Sequence, residues 1–168
     1  MRSVELFAGA GGLAMGVSRA GFVPVAVVEW NQHACDTIRA NQEAGLAPLT
    51  HWPLTQGDVR DFSYTNLGEV DFVSGGPPCQ PFSLGGKHQG RHDSRDMFPE
   101  AVRAIRALRP KAFVFENVRG LTRATFRNYF KYIRLQLSYP ALAAKPDESW
   151  QDHLARLERY HTRGTPRG

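Results

Sequence analysis

Five short apolar runs alternate with helical patterns along the chain, and this alternation limits the fold more than any other feature. Each run is continuous and bounded by polar or glycine-rich residues, so it predicts a strand that is buried on both faces. The predicted strands are Val4 to Phe7, Val25 to Val28, Leu54 to Val59, Val70 to Val73 and Ala112 to Phe115. Strands that alternate with helices favour an α/β fold, a parallel sheet with helices on both faces.

The segments between these strands carry apolar residues at helical spacing. Gly21 is placed to end the first helix, and Asn31 is placed to cap the start of the second. Further helices are predicted over Met97 to Leu108, through Phe126 to Leu137, and onwards from Ser149 and Asp152.

The composition is that of an ordinary globular protein. The chain has 168 residues, 42% of them hydrophobic, which is enough for one domain with a sizeable core. No apolar run approaches the roughly 20 residues that span a bilayer, and the first residues lack a signal-peptide pattern. Cys35 and Cys79 are too few for a disulfide framework or a zinc site. We therefore expect a cytoplasmic protein that uses neither a membrane nor a metal.

The formal net charge of +5 is unevenly spread. Residues 1–118 have a balance of −1, and residues 119–168 have a balance of +6. A basic half beside a neutral half indicates contact with a polyanion, although a solvated basic surface explains the charge equally well.

Every unusual polar cluster falls at the carboxyl end of a predicted strand. The carboxyl ends of parallel strands lie at one edge of the sheet, where folds of this class bind their ligands. The clusters therefore predict a single site, formed by Gly9–Gly12, Glu29–Asn31, Asp58, Pro77–Ser83 and Glu116–Val118.

The first cluster is typical of a nucleoside cofactor. Glycines after the first strand let the backbone approach a ligand closely. About twenty residues later, Glu29 can accept hydrogen bonds from ribose hydroxyls, and Trp30 offers a flat face to an adenine ring. These residues do not separate NAD from S-adenosylmethionine. A plain turn with Trp30 in the core is the alternative.

The second cluster places Cys79 between prolines, on backbone that cannot join a regular helix or sheet. A thiol held rigidly at a strand end suits a nucleophile, which must be aimed. The alternative is a small buried apolar residue. Cys35 follows a helical pattern, so we interpret it as a packing residue.

The third cluster begins with Glu116, directly after four apolar residues. We expect this carboxyl group to be partly buried, which would raise its pKa and favour a protonated hydrogen-bond donor. A helix-capping carboxylate is the alternative.

Together the ordered clusters resemble the cytosine-5 DNA methyltransferase family. Phe7-Ala8-Gly9-x-Gly11-Gly12 resembles its first motif, Glu29-Trp30 its second and Asp58-Val59 its third. Pro77-Pro78-Cys79-Gln80-Pro81-Phe82-Ser83 resembles the nucleophile motif, and Glu116-Asn117-Val118 resembles the next catalytic motif. Order and spacing agree from residue 3 to about residue 137.

The resemblance implies a Rossmann-like fold and transfer of a methyl group from S-adenosylmethionine to carbon 5 of cytosine in duplex DNA, within a restriction system. Cys79 would add to carbon 6 of a flipped-out base, while Glu116 holds the exocyclic amine and ring nitrogen 3. The implied catalytic residues are Cys79, Glu116, Gln80 and Asn117. The implied cofactor pocket is Phe7, Ala8, Gly9, Gly11, Gly12, Glu29, Trp30, Asp58, Val59 and Pro78. DNA contacts are expected from Ser83, Lys87, His88, Arg91 and Arg95, in a loop that resembles a lid.

Members of this family are roughly twice as long. An Arg-rich catalytic motif, a recognition region and a final cofactor motif have no counterpart here, so the sheet should lack its last two strands and expose an apolar edge. We expect residues 1–137 to form the cofactor-binding and catalytic subdomain, with residues 138–168 as a basic, incomplete continuation of it. A split enzyme with a complementary chain, a truncated gene and an expressed fragment remain open, and we expect little activity from the chain alone.

Three other functions remain open at this point. RNA cytosine methylation, as in the tRNA-modifying branch of the family, would use the same three clusters. A non-catalytic subunit of a split enzyme would keep the pocket without the activity. A dinucleotide-dependent oxidoreductase is disfavoured by the nucleophile cluster, because hydride transfer needs no such cysteine.

Overall fold

The computed structural model describes residues 1–78 and 96–164, which form one parallel sheet with helices around it. The strands are β1 (Arg2–Leu6), β2 (Val23–Glu29), β3 (Leu54–Gln56), β4 (Phe72–Gly75) and β5 (Ala112–Phe115). The helices are α1 (Gly12–Arg19), α2 (Gln32–Glu43), α3 (Phe98–Leu108), α4 (Arg127–Ser138) and α5 (Trp150–Gly164). Short 3-10 turns occupy Leu49–His51, Val59–Asp61, Arg119–Thr122 and Ala124–Phe126.

The sheet has the strand order β3-β2-β1-β4-β5, and every neighbouring pair is parallel. The chain runs outwards in one direction from β1 to β3 and then returns to the other side of β1 with β4. This order reverses between β1 and β4, so the ligand crevice of such a fold is expected beyond the carboxyl ends of these two strands.

Helices cover both faces of the sheet, as the sequence predicts. Neighbouring residues of β2 face opposite layers, because side chains alternate along a strand. Val27 packs with Ile38 of α2, whereas Val28 packs with Ile105 of α3. All four side chains are 5% exposed or less, so the sheet is the centre of two apolar layers.

Three predicted helix ends are observed. The side chain of Asn31 accepts a hydrogen bond from the Ala34 amide (3.1 Å) and caps α2. Gly21 follows the end of α1 with a φ of +93°, a conformation that favours glycine. The Ser149 hydroxyl accepts from the Asp152 amide at 3.1 Å, where α5 begins.

Four strands differ from their predicted bounds. β1 begins two residues earlier and ends one residue earlier than predicted, and β2 is longer at both ends. β3 ends at Gln56 rather than Val59, because the Asp58 side chain accepts from the Arg60 amide (2.9 Å) and starts a 3-10 turn. β4 begins at Phe72 and continues to Gly75, two residues later than predicted. Glycine is required there, since a Cβ on Gly75 would lie 2.1 Å from the carbonyl oxygen of Leu6 in β1.

β5 forms one edge of the sheet in the part of the chain that the structure describes. Its residues Ala112 to Val114 are exposed, and Phe113 and Val114 are 37% and 48% exposed. This agrees with the predicted open apolar edge.

α5 packs against α4 through an apolar cluster of Tyr132, Leu135, Leu154 and Leu157. At its centre His153 is 1% exposed, and both of its ring nitrogens have partners. Nδ1 lies 2.8 Å from the Tyr132 hydroxyl, and Nε2 lies 2.7 Å from the Leu142 carbonyl oxygen. α4 and α5 therefore form a helix pair, in which α5 comes from the basic tail and ends at Gly164.

Candidate functional site

The turn after β1 has an unusual backbone conformation and leaves open space on one side. Phe7, Gly9 and Gly11 all have positive φ, at 53°, 54° and 91°. A Cβ on Gly11 would lie 2.8 Å from the Trp52 ring, so only glycine fits beneath the turn. Above it the space is open, since a Cβ on Gly9 or Gly12 would meet no atom within 4 Å.

Glu29 ties this turn to the start of α2. Its Oε2 accepts a hydrogen bond from the Gly9 amide (2.7 Å), and its Oε1 accepts from the amides of Trp30 (3.0 Å) and Asn31 (2.8 Å). Glu29 is 8% exposed, and a carboxylate offers about four acceptor positions. Backbone amides occupy three of these acceptor positions, so one acceptor position remains for a ligand.

Trp30 and Asp58 stand beside Glu29 at the ends of β2 and β3. Trp30 is 70% exposed, which excludes the core alternative and leaves its ring face open. Both oxygens of Asp58 accept hydrogen bonds from the Arg60 side chain, and these bonds lower the pKa of Asp58. Val59 is 4% exposed and packs in the core beneath them.

These residues fit a nucleoside-bearing cofactor. The glycine turn provides open space, Glu29 keeps one acceptor position, and Trp30 provides a flat apolar face at the same edge. The amino-terminal end of α1 has no side-chain cap and no acidic residue in its first turn, so its amides suit an anionic group.

The other half of the site joins the ends of β4 and β5. The Glu116 amide donates to the Gly75 carbonyl oxygen (3.0 Å), and the Asn117 side chain donates to the Pro77 carbonyl oxygen (2.8 Å). Glu116 Oε2 lies 3.4 Å from the position that a Cβ on Gly76 would take. The Glu116-Asn117 pair is therefore held directly against Gly76 and Pro77, two to three residues before Cys79.

Glu116 is exposed, and the expectation that it would be partly buried is wrong. Four apolar residues precede it, but they belong to β5. This strand is at the edge of the sheet and has a neighbouring strand on one side only, among the described residues. An apolar run predicts burial only when the strand has neighbours on both sides.

Several predicted site residues lie outside the described residues. They are Cys79, Gln80, Ser83, Lys87, His88, Arg91 and Arg95. The residues that flank this segment are close together, since the Met97 amide donates to the Pro78 carbonyl oxygen at 3.1 Å. Pro78 is exposed, three residues after the end of β4. Cys35, by contrast, is fully buried, and its thiol donates to the Glu29 carbonyl oxygen, as expected of a packing residue.

An open cleft of about 450 Å³ is formed by residues that follow Glu116 and Asn117 in the chain. It was not predicted from the sequence. Arg119, Gly120, Thr122 and Arg123 line it. The available signal was the charge pattern, because residues 117–146 contain six Lys and Arg side chains and no Asp or Glu.

Two further findings concern the described ranges. Within residues 1–78 and 96–164, no three His, Cys, Asp or Glu side chains are grouped to hold a metal ion. No helix in those ranges combines the length and the apolar character needed to cross a membrane.

Comparisons with known proteins agree with this geometry. The sequence model of the C-5 cytosine-specific DNA methylase family matches residues 1–139. The Type II methyltransferase M.NgoMIV of Neisseria gonorrhoeae is 44% identical over 136 residues, which are 81% of this chain and 41% of that protein. The Type II methyltransferase M.PspPI of a Psychrobacter strain is 46% identical over 70% of this chain and 27% of its own length.

A solved protein encoded within an Escherichia coli prophage superposes with a TM-score of 0.56 at 31% identity, covering 79% of this chain and 37% of that one. The chain thus spans less than half the length of each of these relatives.

Proposed function

Because the chain belongs to the C-5 cytosine-specific DNA methylase family, we propose that it carries the methyl-donor pocket and the catalytic residues of a DNA cytosine-5 methyltransferase. The substrate is cytosine in duplex DNA, and the donor is S-adenosylmethionine. The curated relatives are Type II methyltransferases, which supports a role in a restriction–modification system and favours DNA over RNA.

One observation carries this proposal: the Glu116-Asn117 pair is fixed against the backbone that leads to Cys79. The bond from Asn117 to Pro77 and the contact of Glu116 with Gly76 join two segments about 40 residues apart in sequence. Such a junction suits a carboxylic acid and a thiol that act on the same base from two sides.

The cofactor pocket follows from the open turn after β1. Phe7, Ala8, Gly9, Gly11 and Gly12 would border the donor, with Glu29 on the ribose and Trp30 on the adenine ring. Asp58, Val59 and Pro78 would complete the pocket, once Asp58 exchanges part of its bonding with Arg60 for the ligand. The cofactor supplies the methyl group.

The chemistry assigned to the protein is a reversible addition. The thiolate of Cys79 forms a bond to carbon 6, which makes carbon 5 nucleophilic enough to take the methyl group. Glu116 holds the exocyclic amine and protonated nitrogen 3, stabilising the adduct. Loss of the proton from carbon 5 to a base restores the double bond as the Cys79–carbon 6 bond breaks. Gln80 and Asn117 position these two groups.

Reading a target sequence in DNA requires further polypeptide, in the same chain or in a complementary one. Two observations support this: the exposed apolar edge strand β5, and relatives of about twice this length or more. We therefore expect the 168 residues alone to transfer little or no labelled methyl to duplex DNA or to tRNA.

The cofactor assignment is tested by calorimetry on the 168-residue chain. S-adenosylmethionine should bind and NAD should not. Trp30→Ala should weaken binding by about 1 kcal/mol or more while leaving the unfolding midpoint unchanged, because the ring is exposed. Tyr160→Ala, which removes another exposed aromatic ring, is the matched control. Tight binding of NAD would sink the assignment.

The nucleophile is tested by covalent trapping on duplex DNA that contains 5-fluorocytosine, with the chain supplemented by the remainder of the enzyme. Cys79→Ser should abolish the trapped complex. Cys35→Ser is the matched control and should keep it, because Cys35 is buried under Glu29. Trapping that survives Cys79→Ser would place the nucleophile elsewhere.

A further inference from the structure

The chain immediately after the Glu116-Asn117 pair is a basic segment without acidic partners in its own sequence. Residues 117–146 contain Arg119, Arg123, Arg127, Lys131, Arg134 and Lys145, and the next acidic residue is Asp147. Arg119, Arg123 and Arg127 come first, at intervals of four residues. Arg119 begins the first 3-10 turn, Arg123 lies between the two turns, and Arg127 begins α4. All three are exposed.

Three other basic side chains nearby have partners within the chain. Lys131 pairs with Glu158, Arg156 pairs with Glu148, and the Arg106 guanidinium donates to a backbone carbonyl oxygen. By contrast, the guanidinium groups of Arg119, Arg123 and Arg127 have no hydrogen-bond or ion-pair partner among the described residues. Arg119 and Arg123 line one cleft with the Thr122 hydroxyl beside them.

The backbone that carries these arginines is fixed. Leu121 is 5% exposed and packs with Phe98 of α3 and Ile133 of α4. Asn117, two residues before Arg119, is bonded to Pro77. Arginines on a backbone that is held at both ends lose less entropy when they bind a ligand than arginines on a free loop.

We propose that Arg119 and Arg123, continued by Arg127, bind the phosphate backbone of duplex DNA beside the cytosine that enters the site. The proposal deepens the proposed function and rests on it for the identity of the nucleic acid. Planar guanidinium groups form two parallel hydrogen bonds with a phosphate, and unpaired ones pay no cost of breaking an internal ion pair. The start of α4 has no side-chain cap and no acidic residue in its first turn, which further favours an anion there.

The test is the salt dependence of binding of a labelled 20-base-pair duplex to the complete 168-residue chain. Each neutralised phosphate contributes about 0.9 to the slope of log affinity against log salt. R119Q/R123Q should lower that slope by about 2 and weaken binding roughly tenfold at about 0.1 M salt. Adding Arg127→Gln should lower the slope by about one more.

The matched control is R19Q/R109Q, which removes the same charge from the opposite edge of the sheet. Arg19 precedes β2 and Arg109 precedes β5, so both lie where the parallel strands begin, and both are exposed. This variant should change affinity less than twofold. Calorimetry should give both double variants the S-adenosylmethionine affinity of the unsubstituted chain.

Three results would overturn the proposal: equal losses in the two double variants, absence of duplex binding by the unsubstituted chain, or a larger loss on an RNA hairpin than on duplex DNA. None of them depends on methyl transfer or on Cys79. A failure of the enzymatic proposal would appear instead in the trapping and calorimetry experiments, so the two failures are distinguishable.

Discussion

The sheet and the helix pair that follows it bury their polar groups in different ways. In the sheet, Glu5 of β1 is 1% exposed, and only one of its carboxylate oxygens has a partner in the described chain, the Ser74 hydroxyl of β4. In the helix pair, His153 of α5 is equally buried, yet both ring nitrogens are bonded. The sheet therefore keeps an incompletely satisfied acid, and the helix pair keeps a fully satisfied base.

The difference reflects how each region is held together. β1 and β4 approach so closely that Gly75 has no room for a side chain, and backbone pairing decides their distance. α4 and α5 meet through side chains, with an apolar cluster around the Tyr132–His153 bond. We expect the sheet to be sensitive to added volume and the helix pair to be sensitive to protonation.

The largest expected effect comes from Gly75→Ala. The new Cβ would lie 2.1 Å from the Leu6 carbonyl oxygen, so β1 and β4 must separate, and stability should fall by about 3 kcal/mol or more. Gly16→Ala in α1 is the matched control, because a Cβ there meets nothing within 4 Å. It should stabilise by about 0.5–1 kcal/mol. Urea unfolding measures both, and an unchanged midpoint for Gly75→Ala would disprove the close approach.

The next effect is a pH dependence of opposite sign in the two regions. Burial raises the pKa of Glu5 above 4.5, against a weaker opposing hydrogen bond from Ser74. The native state then binds the extra proton, so this contribution to stability is complete below pH 4.5 and is lost as pH rises through the folded pKa. Burial lowers the pKa of His153 below 6.5, so its contribution is present above pH 6.5 and is lost as pH falls.

Urea unfolding between pH 4 and pH 9 separates the two contributions. Glu5→Gln should remove the loss of stability at higher pH. It should also raise the free energy of unfolding at neutral pH by about 1–3 kcal/mol, which is the cost of burying a polar group without a partner. His153→Asn should remove the loss at lower pH, where hydrogen exchange should report it in α5 rather than in β1. The same pH slope in both variants would contradict the assignment.

The sequence predicted what depends on neighbours along the chain. The caps at Asn31 and Ser149 follow from local hydrogen bonds, and β5 was predicted with its observed bounds because its apolar run is interrupted on both sides. The parallel, Rossmann-like sheet with helices on both faces followed from the alternation of elements and from the family resemblance.

What the sequence did not predict depends on packing across the sheet. The exposure of Glu116 depends on β5 being an edge strand, which a run of apolar residues does not indicate. The bond from the Gly9 amide to Glu29 depends on how the turn after β1 lies beside the end of β2. The shifted start of β4 depends on its register with β1. Each of these features depends on where another strand lies, and the sequence of one strand does not specify that position.

The smallest expected effect compares two matched helix caps, one in each region. Asn31→Ala removes the side chain that accepts from the Ala34 amide, and Ser149→Ala removes the one that accepts from the Asp152 amide. Each should cost about 1 kcal/mol. α2 packs on the central sheet, so Asn31→Ala should lower the global unfolding free energy. The described apolar cluster of α5 includes α4 residues and no residue of the sheet, so Ser149→Ala should accelerate hydrogen exchange in α5 while leaving β1 unchanged. Equal acceleration of hydrogen exchange throughout the protein in both variants would mean that the sheet and the helix pair unfold as one cooperative unit. The two regions would then differ in how their buried polar groups are bonded but not in their stability.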